Sequence, residues 1–220
     1  MEETTSRSAA VRDGLGVGLA VGLSGIAFGA AAVTAGLSVP QACVLSLLAF
    51  TGASQFALTG AVAAGGDLVA ATLGALLLGG RNTLYGLRLA NLLRVRGPRR
   101  LLAAHGVIDE TTAVTMAQPD PRAARTGFVT TFASLYIAWN LSTLAGAYGT
   151  SFLGDPAVLG LDVVGPVAFL AILWPRLAES AELRWLAAGA AAIALCATPF
   201  LPAGVPVLLS AAVVLVVVLR

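Results

Sequence analysis

Arg81 follows two adjacent glycines, Gly79 and Gly80, inside an apolar run covering 68–93. A guanidinium in apolar surroundings is costly unless it meets an acid, a helix end or an anionic ligand. Paired glycines loosen a helix, so a break beside the charge is expected. Arg81, Tyr85 and Arg88 recur at helical spacing and share one face. Arg88 lies closer to an Arg-rich end, where its stem lets the charge snorkel to headgroups. For Arg81 two readings stay open, a structural ion pair and an anion-binding group.

Three other places carry polar groups that need partners. His105, Asp109 and Glu110 lie in a stretch of mixed polarity, 101–118. The spacing of His105 and Asp109 lets them meet on one helix face, where a His/carboxylate pair could move a proton near neutral pH. A solvated loop helix is the alternative. Thr51, Ser54 and Gln55 interrupt an apolar run in the sequence Phe50-Thr-Gly-Ala-Ser-Gln55. Hydroxyls on a helix can bond back to a carbonyl, but a primary amide asks for several partners. Trp139, Asn140, Ser142 and Thr143 sit in a later run, where an Asn usually bonds a neighbouring helix.

None of these groups forms a catalytic constellation. The chain has no Gly-x-Ser-x-Gly, no His-Glu-x-x-His and no phosphate-binding glycine loop, and its single His has no nucleophile placed beside it. An enzyme is not expected, nor a cofactor or resident metal. Cys43 and Cys196 lie in apolar runs without other ligands at metal spacing, and read as packing residues.

The elements that must hold these groups are hydrophobic helices. Of 220 residues, 58% are hydrophobic and 11% charged. A soluble domain carries roughly a quarter charged residues and could not cover its surface with so few. The apolar runs are too long for barrel strands and suit helices of about 20 residues crossing lipid. They cover 15–35, 42–64, 68–93, 128–148, 163–174, 186–197 and 205–219, with Gly/Pro turns between several. The expectation is an all-α integral membrane protein, a polytopic bundle of about six to seven spans with discontinuous or re-entrant helices. Residues 1–13 are polar and read as a flexible lead, with a single transmembrane domain over 14–220. The run after residue 13 is longer than a signal-peptide core of about 7–15 residues, so a retained helix is expected there. Its spacings Gly18-xxx-Gly22 and Gly25-xxx-Gly29 suit close helix packing. No convincing internal repeat is legible.

Every basic residue is Arg, and most sit at the ends of apolar runs, which points to membrane surface and away from nucleic acid. The densest cluster is Arg94, Arg96, Arg99 and Arg100, assigned to the cytoplasm by the positive-inside rule. The second half obeys the rule through Arg122, Arg125, Arg176 and Arg220. The first half conflicts, because Arg7 and Arg12 also belong inside while three full crossings would put the cluster outside. Either the N-terminus is outside or one early segment does not cross. The interrupted run 42–64 is the best candidate, since such breaks mark discontinuous helices.

At these residues the sequence resembles the azaleucine-resistance permease family (AzlC type), the large subunit of branched-chain amino acid exporters. The stretches that carry the resemblance are Gly25-Ile-Ala-Phe-Gly29, Phe50-Thr-Gly-Ala-Ser-Gln-Phe56, Arg81-Asn-Thr-Leu-Tyr-Gly86, Asp109-Glu110-Thr111 and Gly160-Leu161-Asp162, in the family's order. One departure is Gly79, where the family usually has Asn. The resemblance implies a multi-pass protein of the cell inner (plasma) membrane, working with a small multi-span subunit of the AzlD type. It implies proton-coupled export of valine, leucine or isoleucine. A non-transporting assembly subunit and a carrier of another small organic solute are the alternatives. Substrate contacts are expected from Phe28, Ser54, Gln55, Arg81, Asn82, Tyr85 and Asp109, and proton coupling from His105, Asp109 and Glu110.

The Arg map is directly testable. Single cysteines replacing Arg96 and Arg220 are expected to resist an impermeant thiol reagent in intact cells; ready labelling from outside at either would overturn the map.

Overall fold

The computed structural model describes residues 2–153 and, beyond them, 167, 170, 173, 174, 177–201, 205–210, 212 and 213. Every regular element among them is a helix. These are α1 (Glu2–Gly22), α2 (Gly25–Thr34), α3 (Val39–Leu48), α4 (Ala53–Ala63), α5 (Leu68–Gly79), α6 (Arg81–Leu93), α7 (Arg99–His105), α8 (Asp109–Ala117), α9 (Pro121–Ser151), α10 (Ala181–Ala197) and α11 (Val205–Ser210). Most of the expected segment 163–174, residues 211 and 214–219 of the last run, and Asp162, Arg176 and Arg220 fall outside the described residues. Among the described residues, two stretches are long and apolar enough to cross a membrane alone, Ser6–Thr34 and Pro121–Ser151. The count of six to seven spans is not confirmed among the described residues, where the runs 42–64 and 68–93 each appear as two short helices.

The polar lead is helical. α1 begins at Glu2, Ala10 is fully buried, and Ser6 Oγ donates to Asp120 Oδ2 at 3.1 Å. Asp120 in turn caps α9, accepting from the N–H groups of Arg122 and Ala123, with Pro121 in the first helical position. The Ala123 N–H, with help from Ser6 and Arg122, holds the exposed Asp120 carboxyl below the usual carboxylate range.

α9 is the axis of the bundle, and α1 and α2 run along it in parallel. A Cβ on Gly14 would stand 3.0 Å from Thr130, and added methyls on Gly18, Gly22 and Gly29 would collide with Ser134, Ala138 and the Thr143 carbonyl. The numbers rise together on both sides, so the chains run the same way. Gly146 returns the favour against the Ile26 carbonyl. Lipid supplies no hydrophobic drive between helices, so backbone proximity of this kind carries the packing.

Measured along α9, the remaining helices form two hairpins entering from opposite ends. α3 runs against α9: Ser46 Oγ donates to Thr143 Oγ1 at 3.2 Å, Tyr136 OH donates to the Leu47 carbonyl at 3.2 Å, and Phe50 meets Phe132 and Tyr136. The chain then turns at residues 49–52, where Gly52 adopts φ +58°, a left-handed value natural to glycine. α4 heads back, bringing Phe56 to Trp139 and Phe28. α6 runs the other way, from Arg81 to Leu92, whose carbonyl accepts from Arg125 Nε at 3.0 Å. α7 ends at His105 beside Phe132 and Tyr136, and α8 returns until Val114 and Gln118 lie against Gly127.

This geometry settles the Arg conflict. Ser6 lies at the N-terminal end of α9 and Leu92 beside Arg125, so Arg7, Arg12, Arg94–Arg100, Arg122 and Arg125 gather at one end of the bundle. The run 42–64 turns back at half-depth instead of crossing, and so does 101–118.

The two hairpins are also copies. α6 and α8 begin at 81 and 109, each 56 residues after α2 and α4 at 25 and 53. Gln55 Oε1 accepts from the Gly52 N–H, and 56 residues on Thr111 Oγ1 accepts from the Ile108 N–H. Thr59 and Thr115, again 56 apart, each donate to the carbonyl four residues earlier. The absence of a legible repeat is therefore corrected: side chains diverged, while spacing and caps stayed.

Gly29→Ala is expected to force α2 from α9 and lower stability by about 1–3 kcal/mol, the usual cost of overpacking. A melting curve in detergent reads this; an unchanged midpoint would mean the helices separate freely.

Candidate functional site

Four helix ends meet near the midpoint of α9: the N-termini of α4, α6 and α8 and the C-terminus of α5. α5 stops at Gly79 and α6 starts at Arg81, as the glycine pair foretold. A Cβ on Gly79 would stand 3.2 Å from Ser54 Oγ, so the glycine lets α4 and α5 close together here. From the first turn of α6, Arg81 Nη2 reaches Asp109 Oδ2 at 2.6 Å, on the first turn of α8. The side chains are 39% and 36% exposed, so the pair is only partly buried. Asp109 Oδ1 is buried and, among the described residues, has no hydrogen-bond partner; the same holds for Thr112 Oγ1, one turn further on the same face. Asp109 and Glu110 occupy the first turn of α8, where the helix dipole favours negative charge.

Gln55 is bonded to backbone at both ends of its amide. It is 1% exposed; its Oε1 accepts from the Gly52 N–H at 3.1 Å and its Nε2 donates to the Leu45 carbonyl at 3.3 Å. Both ends of the amide tie the turn between α3 and α4. Thr51 Oγ1 likewise bonds the Ala49 carbonyl.

Phe28 and Phe56 are 0% and 1% exposed. They meet edge to face at 5.6 Å between ring centroids, and Phe28 stacks on Trp139 at 6.1 Å. They pack α2 against α4. Asn82 lies half-buried beside Arg81, and Tyr85 packs against the cluster of Leu89, Leu93, Val107 and Phe128.

His105 and Asp109 do not share a helix face. His105 ends α7, Asp109 begins α8, and the turn at residues 106–108 separates them. The imidazole lies among aromatic rings, 5.9 Å from Phe50, 6.4 Å from Phe132 and 5.6 Å from Tyr136. Periodicity assumed one helix through this stretch, and the Gly106 turn broke it. On α9, Asn140 Nδ2 bonds the Tyr136 carbonyl of its own helix, and Asn140 Oδ1 and Trp139 Nε1 are buried without a partner among the described residues. Cys43 and Cys196 are free thiols. Among the described residues no group of His, Cys, Asp and Glu is arranged to hold a metal.

Sequence reasoning missed the role of Thr111, whose hydroxyl accepts from the Ile108 N–H and donates toward the Gly106 carbonyl at 2.6 Å. A cap at the third helical position after a non-polar residue gives little sequence signal. The 56-residue spacing from Gln55 was the sign available.

Apolar helices broken at half-depth around an ion pair define a polytopic helical membrane protein with a polar centre. Residues 16–153 match the family model of the AzlC protein, and the chain belongs to the AzlC family. It is similar to the inner membrane protein YgaZ of Escherichia coli (strain K12), 32% identical over 155 residues, which are 67% of this chain and 63% of that protein. The chain thus spans less than two thirds of that relative's length. It is also similar to an uncharacterized membrane protein of Archaeoglobus fulgidus, 30% identical over 199 residues, 86% of each chain. No solved structure matches.

Gln55→Ala is expected to leave a backbone N–H and a carbonyl unpaired and to cost about 1–3 kcal/mol. Gln55→Glu should cost less, since it keeps the acceptor for Gly52. Thermal unfolding of the two variants checks the order; equal stability of Gln55→Ala and the parent would remove the amide from the turn.

Proposed function

We propose that the chain is a secondary transporter subunit that exports branched-chain amino acids from the cell across the inner (plasma) membrane, coupled to protons and assembled with a small AzlD-type multi-span subunit. The observation that carries this reading is the Arg81–Asp109 pair, set where four helix ends meet at half-depth. Membership of the AzlC family supports it.

A zwitterionic amino acid brings one carboxylate and one ammonium. Arg81 offers a planar fork for the first, and Asp109 offers the second an acceptor whose Oδ1 has no partner among the described residues. With Gln55 committed to the turn, the ammonium falls to Asp109. An ion pair this exposed is worth about 0–1 kcal/mol. A ligand can therefore replace each partner's contact at small cost, as a reversible site requires. The first turns of α4 and α8 add positive dipole ends for the carboxylate. Asp109 and Glu110, side by side, supply carboxylates for the coupling proton, and His105 waits at the tip of α7.

Vesicles containing the chain and its partner are expected to export labelled valine, and the chain alone to export poorly; full activity of the chain alone would contradict the two-subunit reading. Arg81→Lys should fold normally but lose a bidentate contact worth about 1.5–3 kcal/mol, roughly tenfold or more in apparent affinity. Normal valine export by a well-expressed Arg81→Lys protein would take Arg81 out of the site.

A further inference from the structure

The repeated units differ in how their seams are closed. In the first unit the α2–α4 seam is shut by Phe28 on Phe56, both fully buried and backed by Trp139. The positions 56 residues on are Leu84, which is 67% exposed, and Thr112, whose hydroxyl is unpartnered among the described residues. Nothing aromatic fills the α6–α8 seam at those positions. What spans it is the Arg81–Asp109 pair, more than a third exposed on each side chain. Their counterparts in the first unit are Gly25 and Ala53, which carry no charge. A charged pair exposed at half-depth must face water, since hydrocarbon would expel it. α6 and α8 both run from this point toward the Arg-rich end, and α4 runs from it toward the other end. One seam carries a partly exposed ion pair and runs toward the basic end; its inverted copy is closed by buried rings and runs toward the opposite end.

Two copies of one unit, inverted, can each adopt the other's packing, because the backbone geometry needed for both already exists in the chain. We propose that the α2–α4 seam is the second gate of this protein, with Phe28 and Phe56 as its seal. It opens toward the C-terminal end of α9 as the α6–α8 seam closes over Arg81 and Asp109. This rests on the transport reading and adds to it the position of the opposite gate. Phe28 and Phe56 are then gate residues that no ligand touches in the state described. Gly52, with its left-handed φ, and the Leu23–Ser24 break between α1 and α2 are the points where the first unit bends.

The test uses the full chain with its partner, in right-side-out and inside-out vesicles, with Cys43 and Cys196 replaced by Ser. One reporter is Ala53→Cys, in the sealed seam; the other is Asn82→Cys, beside Arg81. Each is combined with Phe56→Ala, or with Phe56→Leu where the alanine variant does not accumulate as folded protein. An impermeant maleimide is added from either side. The expected result is reciprocal: loss of the aromatic seal raises labelling of Ala53→Cys several-fold from the C-terminal side of α9 and lowers labelling of Asn82→Cys from the basic side. Unchanged labelling at Ala53→Cys overturns the gate. So does a rise at Ala53→Cys with no fall at Asn82→Cys, the mark of a local cavity, and so does a rise at both, the mark of general loosening. Because no substrate is needed, reciprocal labelling without valine export would leave the gate and remove the substrate reading, and the converse would do the opposite.

Discussion

The glycine face of α1 and α2 lies directly on α9, and the rest of the bundle depends on that contact. Gly14, Gly18, Gly22, Gly25 and Gly29 let two backbones approach where a side chain would push them apart. In lipid the gain comes from dispersion between surfaces that touch everywhere, which falls off steeply with a small gap. The contact is parallel, so both helices start at the same end. That alone requires the chain between residues 34 and 121 to return to the end it left, an odd number of net crossings. The broken helix α5–α6 makes that return, and the α3–α4 and α7–α8 hairpins must then enter and leave by the same side.

Hairpins that stop at half-depth expose helix ends where a continuous helix would have none. The structure answers with local caps. Gln55 and Thr111 bond the N–H groups of Gly52 and Ile108, and Thr59 and Thr115 bond back along their own helices. Among the described residues, the caps leave Asp109 Oδ1 and Thr112 Oγ1 unpaired on α8, and Trp139 Nε1 and Asn140 Oδ1 on α9. The polar centre is a consequence of the broken helices: the turn residues that end α3, α5 and α7 at this depth also bring a cation from α6 and an anion from α8 together. Glycine at 79 serves the same end, since it lets Ser54 approach at the junction.

The aromatic side chains divide the work. Phe28, Phe56 and Trp139 form a dry seal in the first unit, while Phe50, Phe132 and Tyr136 surround His105 at the tip of the second. Edge-to-face and stacked rings hold both tips against α9 with little need for polar bonds at that depth. Where the second unit lacks the seal, the ion pair stands open. The two seams, equivalent in backbone, differ in what fills them.

By itself the sequence determined the medium and the class. Too few charges for a water-exposed surface, apolar runs of helical length and Arg at their ends leave lipid as the solvent. It also marked the breaks, because Gly79–Gly80 and the polar stretch at 51–55 cannot continue an apolar helix without cost, and both are breaks in the structure. Arg81 was legible for the same reason, as a charge that had to have a partner. The tertiary structure alone decided which partner. Periodicity paired His105 with Asp109, but the turn at residues 106–108 rotates them apart and hands Asp109 to Arg81, 28 residues away. It alone decided that Gln55 serves the turn, that Phe28 and Phe56 face each other, and that residues 42–64 turn back. These outcomes depend on where helices meet in space, and a one-dimensional pattern of spacing holds that information for neighbours on one helix and loses it at every break.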